Sequence, residues 1–510
     1  MRTAAKTAFI MAILTLGSKV LGFLREIIFA NYFGVSYIGD VYSVANSIPN
    51  MIFAGIFGAI ATSFIPIFSK KVEKEGQIAG NVFTNQTINL LFIVSVISSI
   101  IGIVLSDQVV SILAVGFTGE AAKLASFYVK ITFSYTLFTS IAGVFESYLK
   151  YKGVFISPII AGYSISISSI IFIFVSASFG ANYLIFGMLV GNIIRTIIIS
   201  YIAKRKGYRH KLDFRVSKTV KEIFVLAIPV FVGSTVDQIN LAVNKNIATL
   251  LPEGSAISLD YSNLIIALIT GVTSTVIATI LYPKMAQAHS TGNEIRFNEL
   301  FSSGLSILYM LGIPFSLGTM LYSNDIIQII YERGAFDQNA ISLTNGPLFF
   351  YALGMCFLMI QNFSIQAFFS KHDTKTPLKV SVMGVIINIV TNLVLVRSLA
   401  NSGLALGNTI AIISSMLVLQ ILIKKKKYIE YQPGFKMKIF KIFMSAIVSI
   451  GISYLFYIFV NNNIWMPKMV IMAFVVIIAV ITYLLLLKAF KIEELIHIRD
   501  IFKISDGRIK

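Results

Sequence analysis

Residues 470–487 read VIMAFVVIIAVITYLLLL, an apolar run without a charge, and comparable runs recur along all 510 residues of the chain. A run of about 18 to 20 apolar residues matches the hydrocarbon thickness of a bilayer. Within hydrocarbon the backbone must satisfy its own hydrogen bonds, which leaves helices or closed barrels. Barrel strands are only about ten residues long, so these runs are helices. Composition agrees: 56% of residues are hydrophobic and 13% are charged, against about 25% charged in soluble domains. The expected fold is an all-α polytopic membrane protein.

The pattern predicts about fourteen spans. Twelve lie near 6–32, 38–68, 82–106, 119–148, 154–178, 183–203, 217–249, 257–286, 297–322, 339–370, 378–398 and 403–423. Two more lie near 439–460 and 467–488. Residues 1–30 carry Arg2 and Lys6 before an apolar stretch, but Lys19, Arg25 and Glu26 follow, so they read as a retained first helix. The net charge of +19 is distributed by side. Lys70, Lys71 and Lys74, then Lys150 and Lys152, then Lys204, Arg205, Lys206, Arg209 and Lys211 fall in alternate loops. So do Lys371, Lys375 and Lys379, the run from Lys424 to Lys427, and Lys488, Lys491, Arg499 and Lys503 in the tail. Loops 33–38 and 179–182 contain no Lys or Arg. The positive-inside rule therefore puts both termini in the cytoplasm, and the basic charge needs no nucleic-acid partner.

A weak internal repeat divides the chain. Val110, Phe117, Ala121 and Leu124 have the same spacing as Ile329, Phe336, Ala340 and Leu343. Each set precedes a long span and a basic turn that ends at Pro158 or Pro377. Six spans separate the copies, so the halves share one orientation, a parallel repeat of the kind transporters use. The expected organisation is an N-terminal six-helix lobe (1–212), a C-terminal six-helix lobe (213–427), two extra helices (428–488) and a tail (489–510).

Ionisable groups at helix-centre depth cost about 2.5–3.5 kcal/mol and mark cavities or partners. Lys19, beside Gly17 and Ser18, sits in mid-span, and Arg25 follows six residues later. Six residues turn a helix by about 600°, so the two are offset by roughly 120° and can border only a wide cavity together. Asp40, Asp237, Lys245 and Asp260 are the other charges singled out. Arg25, Lys245 and Asp260 also suit a position near a helix end, with the charge reaching to the headgroups. Asn46, Ser47, Pro49 and Asn50 interrupt the second span, and Pro49 fits a kink or a gate. Asn388 and Asn392 share one helix face, which suits interhelical hydrogen bonding, with cation coordination as the second use. Gly187 and Gly191 form a small-residue packing pair, and Cys356, the single cysteine, reads as a packing residue.

Enzyme signatures are absent: the sequence has no Walker A, Rossmann or GxSxG pattern, so no catalytic residue is expected. His210, His289, His372 and His497 have no ligand spacing, so no metal and no cofactor are expected either. Energy would come from the membrane potential or from Na+ coupling.

The motifs resemble one family. Residues 18–26 (SKVLGFLRE), Phe33 and Gly34, Asp40, Pro49 and Asn50 are similar to the N-terminal signature of the MurJ/MviN lipid II flippases. So are 238–241 (QINL), 251–255 (LPEGS), 331–337 (YERGAFD), 367–370 (AFFS), 373–377 (DTKTP) and 403–406 (GLAL). The resemblance covers essentially the whole chain and implies two six-helix lobes around a cationic cavity, with a final helix pair forming a polyprenyl groove. It places Lys19 where the family usually has Arg, and matches Arg25, Asp40 and Asn50 directly. With Ser18 these are the expected substrate-binding residues. Asp237, Asn244, Lys245, Asn388 and Asn392 are the expected cavity or cation-coupling residues.

The chain also departs from the family. Positions 51–56 are apolar where a basic pair is usual, and Asn263 and Leu264 stand where an Asp-Arg pair is usual. Asn244 and Asn392 stand where related sequences can carry Asp. The resemblance implies a monomeric flippase of the bacterial cytoplasmic membrane, moving an undecaprenyl-diphosphate-linked peptidoglycan precursor among membrane lipids, with cell-wall synthesis proteins as partners. A flippase for another lipid-linked glycan and a cation-coupled multidrug exporter, which would use Asp40 and Asp237, remain open on these residues.

Overall fold

The computed structural model describes residues 2–215, 217–276, 281–431, 434–463 and 466–492. The side chains of Asn50 and Asp237, together with Trp465, His497 and the basic tail beyond 492, lie outside the described residues. Every regular element among the described residues is helical. The chain forms two compact units, residues 1–261 with 331–340, and residues 262–330 with 341–510.

The first unit begins with α1 (Arg2–Phe33), which stops at Gly34, where φ is +53°. A side chain there would also collide with the Ala335 carbonyl oxygen, 2.3 Å from the place a Cβ would take. Ser36 then caps α2 (Tyr37–Val104), its hydroxyl accepting from the Gly39 amide at 3.4 Å. This helix continues through Pro49 and Pro66 and breaks at Gly76, where φ is +83°, so the two spans expected at 38–68 and 82–106 are joined by one sharp turn. There follow α3 (Ser106–Leu113), α4 (Gly119–Tyr151), α5 (Ile156–Phe179), a 3₁₀ turn (Ala181–Tyr183), α6 (Phe186–Arg205) and α7 (Lys218–Thr249). Gly187 and Gly191 let α6 lie against α5: a Cβ on either would fall 2.8 or 2.6 Å from the Cα of Ser169 or Ile165. The core of this unit is aromatic, with Phe64 stacked on Phe68 and Phe83, and Tyr148 edge-on to Phe68 and Tyr208.

Helix α8 (Ser255–Val276) begins in the first unit and continues into the second. Beyond the undescribed residues 277–280 lies α9 (Tyr282–Ser290), with Pro283 in its first turn. Then come α10 (Glu294–Leu321), α11 (Ser323–Tyr331), α12 (Gln338–Ser370), α13 (Lys375–Lys425), α14 (Phe435–Asn463) and α15 (Lys468–Ala489). Ala400, at φ +48°, interrupts α13 between the two spans expected there. Cys356 is buried, and its backbone amide donates to Ser316 Oγ at 3.1 Å, in keeping with a packing role. The short amphipathic helices α3 and α11 fall where loops were expected, and each precedes a helix of 33 residues. The sequence repeat is thus a repeat of this element pair.

Among the described residues, eight helices are long and apolar enough to cross a membrane: part of α2, then α5, α6, α10, α12, α13, α14 and α15. Helices α1, α4 and α7 are as long but are absent from that set. They carry Lys19 and Arg25, Glu146, and Lys245, and two of these charges, Lys19 and Glu146, line the pocket described next.

Candidate functional site: a cationic pocket and an apolar groove

The first unit holds a pocket of about 450 Å³ lined by Thr15, Ser18 and Lys19 of α1, Glu146 and Lys150 of α4, Pro158 and Gly162 of α5, and Arg195 of α6. Arg195 and Glu146 form an ion pair across it. Lys19 and Lys150 are exposed, with no ion-pair partner among the described residues. Three cations against one carboxylate leave the pocket two positive charges in excess. Such a site takes a multiply charged anion, with lysine as a point charge and arginine as a fork for paired oxygens.

Arg25 does not join this pocket. Its guanidinium pairs with the adjacent Glu26, the 120° offset having turned it to another face of α1. Asp40 also lies elsewhere. It is 4% exposed, and its two carboxylate oxygens accept the amides of Gly254 at 2.7 Å and Ile257 at 2.8 Å. The turn at 251–255 leaves the first amides of α8 without partners inside the helix, and Asp40 supplies them. Both oxygens are thereby committed to the fold.

Lys245 is buried and paired. Its Nζ lies 2.6 Å from both carboxylate oxygens of Asp260 and also donates to Ser43 Oγ, while the Ser43 hydroxyl donates to Asp260. That closed triangle ties α2, α7 and α8 together and neutralises the lysine. In the second unit, Asn392 Nδ2 donates to Asn388 Oδ1 at 3.0 Å, and both residues are wholly buried. This bond lies within α13 itself, where interhelical bonding was expected. Asn244 is half-buried and engaged in contacts of its own.

The second unit contains an apolar groove of about 430 Å³ among α10, α14 and α15, with Pro314, Phe315, Ile450, Val476, Val480 and Leu484 in its walls. Its polar atoms are turned inward. Tyr483 donates to the Met310 carbonyl at 2.8 Å and Ser449 to the Ala479 carbonyl at 2.6 Å. Tyr457 donates to Asp325 of α11 at 3.1 Å, and Lys468 lies 3.4 Å from the same carboxylate.

Glu146 and Arg195 were missed by the sequence reading, although the signal existed. Both are intramembrane charges, of opposite sign, in spans where hydropathy disfavours them. Lys150 was read only as part of a basic loop.

Membrane-length helices, a charged pocket and an apolar groove define a multi-pass helical membrane transporter. A family model described as lipid II flippase MurJ matches residues 29–506, and the chain belongs to that family. A probable lipid II flippase MurJ of Rhizobium meliloti (strain 1021) is 30% identical over 413 residues, 78% of this chain and 76% of the relative. That of Rickettsia prowazekii (strain Madrid E) is 26% identical over 456 residues, 87% of this chain and 88% of the relative. Among solved structures, a lipid II flippase MurJ in an inward closed conformation is 24% identical and superposes with a TM-score of 0.83, covering 96% of this chain and 100% of that one.

Proposed function

We propose that this chain is a lipid II flippase, carrying the polyprenyl-diphosphate-linked precursor of peptidoglycan from the cytoplasmic to the outer leaflet. The observation that carries the reading, beside family membership, is the pocket of Lys19, Lys150 and Arg195, whose excess charge of two matches a diphosphate. Glu146 holds Arg195 in place, and the diphosphate takes its role when bound. The groove among α10, α14 and α15 offers the prenyl chain an apolar track, which the charged pocket cannot provide.

The basic loops lie on the cytoplasmic side with both termini, where the substrate is loaded. Moving two negative charges outward gains about 4–5 kcal/mol at 100 mV, from about 2.3 per charge, so the membrane potential drives transport.

Purified protein in liposomes with labelled lipid II tests the reading. Lys19→Ala and Arg195→Ala are expected to lose flipping while remaining folded, and Lys19→Arg to keep it. Glu146→Gln removes the competing anion and should tighten binding of a soluble diphosphate headgroup. Wild-type flipping by both alanine variants overturns the cationic mechanism.

A further inference from the structure

The linker between α6 and α7 is held in register against α2. Asn81, Asn85 and Asn89 stand four residues apart on one face of α2. Asn81 Nδ2 donates to the Gly207 carbonyl at 3.0 Å and Asn85 Nδ2 to the Arg209 carbonyl at 3.0 Å. Asn89 Nδ2 reaches the carbonyls of Lys211 and Asp213, both at 3.2 Å. Four helical residues rise about 6 Å and two extended residues about 6.6 Å, so the helix acts as a ruler for an extended strand. Alternate carbonyls are pinned to α2, and the side chains between them, Tyr208, His210, Leu212 and Phe214, all turn into one cavity of about 480 Å³.

The cavity has two characters. Its walls include Phe92, Leu212 and Phe214, which are 44%, 70% and 54% exposed. Its lining also includes Lys204, which has no counter-ion among the described residues, and His210, whose Nδ1 is 3.0 Å from the Tyr208 hydroxyl. Arg209 and Lys211 add further charge on the linker itself. Asp213 of the linker is already engaged, 2.9 Å from Arg215 and from Gln86. A free anion would leave the apolar walls wet, and a neutral hydrocarbon would leave the cations unmatched.

We propose that this cavity is a resident site for an anionic glycerophospholipid, its phosphate at Lys204 and His210 and an acyl chain against Phe92, Leu212 and Phe214. The general physics favours it, since basic pockets at a helix–interface boundary select acidic headgroups. The lipid would tie the linker to α2, α4 and α6, and it is distinct from cargo because the site lies outside the Lys19 pocket.

The test uses the full-length chain, delipidated in detergent and titrated with phosphatidylglycerol or phosphatidylcholine under native mass spectrometry. Wild type is expected to retain phosphatidylglycerol in preference to phosphatidylcholine. Lys204→Gln should weaken phosphatidylglycerol about fivefold, one surface charge being worth about 1 kcal/mol, and Lys204→Arg should preserve it. Leu212→Ser with Phe214→Ser should weaken both lipids. Lys424→Gln, in the other unit, should change nothing. Equal retention of the two lipids, an unchanged preference in Lys204→Gln, or the same loss in Lys424→Gln would overturn the site.

Discussion

Replacing Asp40 with alanine removes the acceptor for two buried amides at the start of α8, those of Gly254 and Ile257. A hydrogen bond to a charged group contributes about 1.5–3 kcal/mol, so the two together reach about 3–6 kcal/mol. Alanine also relieves the desolvation of a carboxylate that is 4% exposed, which brings the net loss toward the lower end, about 3 kcal/mol. Asparagine keeps one acceptor oxygen and turns an NH2 group against the second amide, so Asp40→Asn should lose roughly half as much. Hydrogen exchange of the purified protein reads this locally. Protection at residues 254–257 should fall about a hundredfold in Asp40→Ala, each 1.4 kcal/mol being tenfold, and about tenfold in Asp40→Asn. The thermal midpoint should fall in the same order, and transport should follow folded protein. If Asp40→Ala keeps wild-type protection and midpoint yet loses headgroup binding, the capping argument is wrong and Asp40 belongs to the substrate.

Lys245→Met leaves Asp260 without its cation; because Asp260 is 42% exposed, the cost should be about 1–2 kcal/mol rather than the 3–5 of a dry pair, and Lys245→Met with Asp260→Asn should recover most of it in a thermal double-mutant cycle. Gly191→Ala drives a methyl to 2.6 Å from the Ile165 backbone and should lower stability by about 1–3 kcal/mol, seen as a reduced thermal midpoint. At Asp373, burial pushes the carboxyl up, but hydrogen bonds from Lys426 and Thr376 outweigh it and hold the group at about 2. The folded value lies below the unfolded one of about 3.9, so the unfolded chain binds the proton first, and the loop's stability is full above pH 4 and lost between 4 and 2. Exchange protection of the Thr376 amide, 3.0 Å from Asp373, should fall across that window and be pH-independent in Asp373→Asn. Truncation after Lys427 removes the groove walls of α14 and α15 and should abolish flipping of full-length lipid while headgroup binding survives.

The sequence by itself determined that the chain is helical, that it lives in a bilayer, and which family it belongs to. Hydropathy and span length are one-dimensional properties, and the bilayer reads them without reference to the tertiary fold. The small-residue pair Gly187 and Gly191 was legible for the same reason, since spacing along one helix fixes which face they share. Partners across helices were not legible. Lys19 and Arg25 lie on one helix with a common motif, yet one lines a pocket with Glu146, Lys150 and Arg195 from two other helices and the other pairs with its neighbour Glu26. Asp40 looked like a substrate ligand until the start of α8, more than two hundred residues away, was seen to claim both its oxygens. Lys245 looked like a free cavity charge until Asp260 and Ser43 closed on it. A buried charge takes its role from whatever lies within about 3 Å, and that neighbour is chosen by the packing of helices distant in sequence. Tertiary structure alone decided which charges hold the fold and which remain free to meet a substrate.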